Sequence, residues 1–249
     1  MDNNLPIKLS KEPLLDAVFE MRFSQTVSAS SILPGIFYNE LEGEKTIEQL
    51  NISNVPKQIR DNDPNLRFAP IVKITWNKFL LLIGDNNVII GCKMPYPGWV
   101  SLKPTILRIV DILNGVEAIQ RIQRYSLKYV DLIPYTNLKD QIAAVNLNLQ
   151  LAQHKLENEI FQLRIEIKKD GYVNSIQIVS SAVVTLSDQK TKKEGLVIDI
   201  DTICITDLKF TNFAVDLQAK LENIHSMNKL MFFSCLTPET LTDLGPIYE

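Results

Sequence analysis

Two aspartates on one predicted strand form the best acidic pair in the chain. Asp199 and Asp201 lie two residues apart in the segment IDID, so their carboxylates project from the same face of a strand. Two carboxylates on one face can hold a magnesium-type ion or divide the acid and base roles of a reaction, with Glu166 or Glu20 assisting. The pair therefore supports one hypothesis, a metal-dependent, nuclease-like enzyme.

Basic residues on another predicted strand offer a structural explanation for the same pair. Arg124 and Lys128 share one face of that strand and can pair with Asp199 and Asp201 across a sheet. Opposite charges on neighbouring strands contribute about 0.2–1 kcal/mol each. We favour this electrostatic interpretation over a metal site, and we expect Arg124 and Lys128 to be interaction residues.

The histidines and cysteines lack the spacing of a metal or nucleophile site. The chain has no CxxC, HxxxH, HxH or GxSxG, and its nine glycines leave little material for a phosphate-binding loop. We expect no metal and no cofactor. Cys92, Cys204 and Cys235 lie among apolar residues and are expected to be buried, reduced thiols. His225 follows a predicted helix and remains an interaction candidate.

Composition and charge disfavour several classes of protein. The chain has 249 residues, 45% of them hydrophobic, with a net charge of -3 and a pI near 5.6. This balance provides no global basic field and disfavours nucleic-acid binding, although a local basic patch stays open as an alternative. The run Lys190–Glu194 is interpreted as a solvated hairpin tip that could also touch phosphates. No apolar run approaches about 18 residues and no basic leader precedes one, so we expect a cytoplasmic protein without membrane contact.

The first half of the chain predicts a strand, a helix, a meander and a second helix. The strand spans 14–23, and a helix over 28–41 begins at Ser28 as N-cap. The polar, proline-containing stretch 43–65 is predicted to be irregular. Antiparallel strands over 68–94 lead to a helix over 102–113, with Ser101 available as its cap.

The second half predicts a similar order of elements. A strand over 119–134 and a short helix over 138–144 precede 145–152, where alternation favours a strand although helical spacing also fits. Asp170-Gly171 predicts a tight hairpin turn, and a strand over 196–205 leads to an amphipathic helix over 210–224.

Together these patterns predict an α+β fold. We expect curved, mostly antiparallel sheets covered by amphipathic helices, because a sheet with one apolar face needs a cover. The two halves of the chain have the same predicted order of elements. This suggests two similar β-α-β(n)-α halves, 1–116 and 117–249, packed as one body.

The C-terminal tail carries an apolar pattern of its own. We predict that Phe232, Leu236, Leu241 and Leu244 are buried, and that Gly245 lets the chain turn so that Tyr248 packs back against the domain.

Three segments resemble a sporadically distributed prokaryotic protein family. They are PLLDAVFEMRF, the Arg124-Tyr125 strand ending at Asp131, and the terminal pattern LxxxH…F…LTxxxLxxLGxxY. The terminal pattern falls on the positions Leu221, His225, Phe233, Leu236, Thr237, Leu241, Leu244, Gly245 and Tyr248. The resemblance implies no activity and no residue role, and the sporadic occurrence of such proteins suggests a phage-defence or mobile-element context.

Three functional hypotheses follow. The first is a non-enzymatic interaction protein, such as a phage-defence component or the partner that neutralises a toxin, bound to another protein encoded nearby. The second is the metal-dependent enzyme built on Asp199 and Asp201. The third is a small-ligand sensor with a cavity between sheet and helix. We favour the first, because no motif specifies a nucleophile, a cofactor loop or a transition metal. Neither the oligomeric state nor the ligand follows from the sequence.

Overall fold

The computed structural model describes residues 5–185 and 192–248, and it confirms an α+β fold with a large antiparallel sheet. The strands are β1 (Lys8–Leu9), β2 (Leu14–Gln25), β3 (Lys45–Gln49), β4 (Val72–Trp76), β5 (Phe79–Ile83), β6 (Asn87–Cys92), β7 (Ile119–Ile133), β8 (Gln150–Leu151), β9 (His154–Lys155), β10 (Gln162–Lys169), β11 (Tyr172–Thr185), β12 (Lys192–Lys209) and β13 (Pro246–Ile247). The helices are α1 (Ala29–Glu40), α2 (Lys57–Asn62), α3 (Trp99–Asn114), α4 (Leu138–Ala143), α5 (Phe210–Val215), α6 (Leu217–Cys235) and α7 (Pro238–Asp243).

The strand order of the nine-stranded sheet is β10-β11-β12-β7-β2-β6-β5-β4-β3. Two small two-stranded sheets pair β1 with β13 and β8 with β9. The β10–β11 hairpin turns at Asp170 and Gly171, both with positive φ, as the Asp-Gly sequence predicts. Curvature of the sheet and similarity of the two halves stay predictions.

The chain forms two compact units, each assembled from separate segments. Unit 1 comprises Met1–Leu15, Lys128–Thr202 and Ile224–Glu249, and unit 2 comprises Asp16–Leu127 and Ile203–Asn223. Strands β2, β7 and β12 contribute residues to both units. This division differs from the contiguous halves 1–116 and 117–249, and the packing of those halves as one body stays a prediction.

Unit 2 buries a polar network beside its apolar core. Alternate residues of β2, including Phe19 and Phe23, are fully buried, as expected for a strand with one covered face. Asp85 is also buried, and Arg60 Nη2 donates to its Oδ2 at 2.7 Å. Ser28 and Ser30 donate to Asp85 Oδ1. Burial would raise the pKa of Asp85, but the hydrogen bonds from Ser28, Arg60 and Ser30 lower it overall.

Unit 1 has its own core, in which strands pack against α6. Ile198 and Ile200 of β12 are buried with Met227 and Met231 of α6. Asn228 Nδ2 donates to the carbonyl oxygen of Ile200 at 3.0 Å, so a buried amide ties α6 to the strand. This hydrogen bond gives the Asn228 amide and the Ile200 carbonyl a partner, which removes the cost of burying them unpaired.

The stretch 43–65 contains three elements where the sequence predicted an irregular excursion. It forms β3, a 3₁₀ turn over Asn51–Asn54, and α2. Helix α2 exposes Ile59 and buries Arg60, so its pattern is the reverse of an amphipathic helix. Hydrophobic periodicity therefore gives no signal for it.

One further prediction about local structure was wrong, and another was right except for one break. The predicted strand over 145–152 reduces to β8 and an isolated bridge from Val145 to Leu236, because backbone bonds of Asn146 and Leu147 are made locally and to Cys235. The predicted helix over 210–224 is interrupted at Asp216, where α5 ends, and α6 then continues to Cys235.

Predictions about caps and the tail were partly right. Ser28 precedes α1, but its hydroxyl binds Asp85 and Ser30 instead of capping the helix, and α3 begins after Gly98, three residues before Ser101. Phe232, Leu236 and Leu244 are buried, whereas Leu241 is only half-buried. Tyr248 is exposed, so that prediction was wrong: the tail returns through β13, which pairs with β1.

No helix within residues 5–185 and 192–248 has both the length and the apolar character that a membrane span needs.

Candidate functional site

A cleft of about 440 Å³ opens in unit 1 between strand ends and the end of a helix. Its volume lies within the range of roughly 300–1,000 Å³ that is typical of small-molecule sites. Its lining comes from 11–15 before and within β2, from 132–135 at the end of β7, from Lys193 of β12, and from Asp243 and Leu244 at the end of α7. The walls are mainly leucine, isoleucine and proline side chains.

Backbone hydrogen bonds hold the segments that line this cleft. Leu132 N donates to the Pro13 carbonyl oxygen at 2.9 Å, and Lys11 N donates to the Leu244 carbonyl oxygen at 3.0 Å. Gly245 has a φ of +67°, and a Cβ at this position would collide with Ser10 Oγ. Glycine is therefore required where the tail turns back past the N-terminal segment.

A tyrosine–aspartate pair closes one side of the cleft. Tyr135 Oη donates to Asp243 Oδ2 at 2.6 Å, and Gln141 Nε2 donates to the Tyr135 carbonyl oxygen at 2.7 Å. Burial and then the hydrogen bond to Asp243 raise the pKa of Tyr135. Tyr135 therefore remains a neutral phenol near neutral pH, and its position is fixed at both its backbone and its hydroxyl.

The other polar groups of the cleft are two lysines and one glutamate. Lys11 and Lys193 are exposed, and neither forms an ion pair with any residue that the structure describes. Glu12 is exposed, and the partial burial of its carboxyl raises its pKa above the ordinary value. The cleft thus combines two exposed ammonium groups, without an ion-pair partner among the described residues, with a carboxyl that takes up a proton more readily than a solvated one.

A buried carboxyl is electrostatically coupled to the cleft. Asp131 of β7 is 6% exposed, and within 5–185 and 192–248 its side chain forms no hydrogen bond or ion pair. Burial, followed by the negative charges of Glu12 and Asp199, raises the pKa of Asp131 to about 8. Asp131 is therefore mainly protonated at neutral pH, and its charge state depends on Glu12, which lines the cleft.

The acidic pair that the sequence singled out lies on β12, and one member forms the predicted cross-strand ion pair. Lys128 Nζ is 2.7 Å from Asp199 Oδ2. Asp201 is half-buried. Glu166 lies on β10, two strands from β12 in the sheet order, which corresponds to about 10 Å between strands. The structure therefore does not bring Glu166 beside the pair.

The remaining candidates lie in separate surroundings. In unit 2, Arg124 Nη1 is 3.2 Å from Glu20 Oε2, and Glu20 also accepts from Arg22. In unit 1, the His225 ring meets the Tyr129 ring edge-on, with centroids 6.3 Å apart. His225 lies within α6 and not at a helix end, because that helix runs on to Cys235. Whether Arg124, Lys128 and His225 contact a partner stays a prediction.

Metal-ligating groups do not cluster in the described part of the chain: no three His, Cys, Asp or Glu residues there are arranged to hold an ion. Cys92 is buried, and burial followed by the charge of Asp16 raises its pKa to about 12. Partial burial raises the pKa of Cys235 to about 11, but Cys235 and Cys204 are both only half-buried, so the prediction that all three thiols are buried was right only for Cys92. Lys192–Glu194 belong to β12 and not to a hairpin tip, and residues 190 and 191 lie outside the described ranges.

Comparison of the sequence with protein-family models and with curated proteins finds no match. The functional hypothesis therefore depends on the geometry of the cleft. Sequence analysis missed this cleft because its residues come from four distant segments and share no spacing. The one signal available was the recurrence of proline and apolar residues around Glu12 and before Tyr135.

Proposed function

We propose that unit 1 binds a small organic anion with an apolar body, so that the protein acts as a ligand-binding protein. The observation that carries this proposal is the cleft of about 440 Å³ with apolar walls and two exposed ammonium groups that form no ion pair with any described residue. A few polar groups converging on an apolar pocket of this size are typical of small-molecule sites. This develops the third hypothesis from the sequence, a sensor with a cavity between sheet and helix.

The charges of the cleft select the kind of ligand. Lys11 and Lys193 favour a carboxylate or phosphate, and the leucine and proline walls favour an alkyl or ring body. A negative ligand would be repelled by an ionised Glu12, but the raised pKa of Glu12 makes its neutralisation easier. Neutral Glu12 can then donate a hydrogen bond to the anion.

Octanoate is a suitable probe, because it joins a single carboxylate to an apolar chain. Isothermal titration calorimetry should detect its binding to the wild type, and octanamide, which lacks the charge, should bind at least about tenfold more weakly. The double variant Lys11→Gln/Lys193→Gln should lose most of the preference for octanoate. The matched variant Lys139→Gln/Lys155→Gln, which changes exposed lysines of unit 1 outside the cleft, should keep it.

Equal binding of octanoate and octanamide, or no binding of either, would contradict the proposal. Equal loss in both lysine pairs would mean that net charge attracts the anion and that the cleft does not.

The interaction-protein hypothesis receives support from a different surface of unit 1. Large hydrophobic residues are exposed in one stretch of the chain: Leu149, Leu151, Ile160, Ile165 and Ile167. Exposed large hydrophobic side chains of this kind, where they form one patch, are typical of protein-binding sites. A role in phage defence or toxin neutralisation stays a prediction.

A further inference from the structure

Strand β10 ends the sheet order in unit 1, and among the described residues it pairs only with β11. Ser180 N donates to the Phe161 carbonyl oxygen, which places odd-numbered residues of β10 in hydrogen-bonded pairs with β11. The backbone groups of the even-numbered residues therefore point away from the sheet. They offer a complete ladder of donors and acceptors to another strand.

One face of β10 continues an apolar groove of about 200 Å³ in unit 1. Leu163, Ile165 and Ile167 line it together with residues of β11 and α6. Ile165 is 41% exposed and Ile167 is 39% exposed. The groove therefore reaches the free edge, where a strand added to β10 would cover these side chains.

The opposite face of β10 carries charges of both signs. Arg164 and Glu166 are exposed, and neither forms an ion pair or a side-chain hydrogen bond within residues 5–185 and 192–248. In an antiparallel pair of two identical strands with Ile165 opposite Ile165, Arg164 faces Glu166 twice. The same register places Leu163 opposite Ile167 on the apolar face.

We propose that two copies of this chain associate through β10, in an antiparallel pair centred on Ile165. In this pair, even-numbered residues of one copy lie opposite even-numbered residues of the other. The outward-pointing backbone groups of both copies therefore meet, and the apolar and charged faces each continue across the two strands. Shifting the register so that Ile165 faces Ile167 places Glu166 opposite itself. The shift in the other direction places Arg164 opposite itself, so both neighbouring registers create like-charge contacts.

The free edge of unit 2 lacks this self-complementarity. Strand β3 ends the sheet order there, and its charged residues are already used: Lys45 binds the Leu41 carbonyl oxygen, and Glu48 is 2.8 Å from Lys73. This difference selects β10 as the self-association edge and makes β3 a matched control.

Sedimentation velocity from about 1 to about 100 μM tests the proposal. The wild type should form a dimer in this range. Arg164→Glu and Glu166→Arg should each weaken it by roughly 10- to 100-fold, because each creates two like-charge contacts in the dimer. The double variant Arg164→Glu/Glu166→Arg should restore the dimer, since it exchanges the charges and keeps them opposite.

The control Glu48→Arg, which reverses a charge on β3, should leave the dimer unchanged. Circular dichroism of each variant should match the wild type, and restoration by the double variant shows that the single variants fold. A wild type that stays monomeric throughout would overturn the proposal, even if β10 bound a strand of another protein. A dimer that neither single reversal weakens, or that the double variant fails to restore, would also overturn it.

Discussion

Asp85 of unit 2 and Asp131 of unit 1 are both buried carboxyls, but their surroundings shift their pKa values in opposite directions. Asp85, 3% exposed, accepts hydrogen bonds from Arg60 and two serines, and its pKa is lowered. Asp131, 6% exposed, lies near other carboxyls, and its pKa is raised to about 8. Asp85 stabilises unit 2 in its charged form, whereas Asp131 is favoured in its protonated form and its ionisation lowers the stability of unit 1.

The comparison separates structure from binding within the molecule. The hydrogen bonds and the ion pair of Asp85 come from residues of unit 2, so its carboxylate has few acceptor positions left for a ligand. In unit 1, Glu12, whose pKa is raised, and the exposed Lys11 and Lys193 line an open cleft, which is the arrangement expected of a binding site.

The largest effect is expected from Asp85→Ala. Removing Asp85 leaves the Arg60 guanidinium buried without its counter-charge, so the free energy of unfolding should fall by about 3–5 kcal/mol. Urea denaturation at neutral pH measures it. Glu48 forms an exposed ion pair with Lys73 in the same unit. Glu48→Ala should therefore lower the free energy of unfolding by under about 1 kcal/mol. Similar losses in both variants would show that the Asp85 network contributes no special stability.

A smaller effect of opposite sign is expected from Asp131→Asn at high pH. The folded pKa of Asp131 is about 8 against an ordinary 3.8, so the folded state keeps a proton that the unfolded state releases. The stability that protonated Asp131 contributes is fully present below the pKa of the unfolded state, 3.8, and is lost as pH rises through about 8. Asn mimics the protonated acid, so at about pH 9 the variant should be more stable than the wild type by at least about 1 kcal/mol.

Denaturation curves at about pH 5, 7 and 9 measure this difference. A gap between Asp131→Asn and the wild type that does not grow with pH would contradict the assignment of a raised pKa to Asp131.

The smallest stability effect is expected from Asp199→Asn/Asp201→Asn. The ion pair of Asp199 with Lys128 is partly exposed, so its loss should cost under about 1 kcal/mol. Removing the Asp199 charge should also lower the pKa of Asp131. Thermal scans with and without manganese should show no metal-dependent gain in the wild type. A clear gain that disappears in the double variant would revive the metal-enzyme hypothesis.

The elements with regular patterns were predictable from the sequence, and the site was not. The Asp170-Gly171 turn and the alternating strand β2 have strong local signals, and both are confirmed. Helix α2 was missed because it buries Arg60, and that burial depends on Asp85, distant in sequence. The cleft was missed for a related reason, since Glu12 and Tyr135 come together only through the fold.

The pH dependence of octanoate binding, measured by calorimetry upward from about pH 5, just above the ordinary Glu12 pKa of 4.5, tests the central claim most directly. In the wild type, binding should weaken as pH rises and Glu12 ionises, because its raised pKa moves this ionisation upward. In Glu12→Gln, which keeps the shape and removes the charge, binding should be at least as tight and should weaken less as pH rises, the remaining dependence coming from Asp131 with its pKa of about 8. Octanoate binding with the same pH dependence in both proteins, or absent from both, would contradict a binding site in the unit 1 cleft.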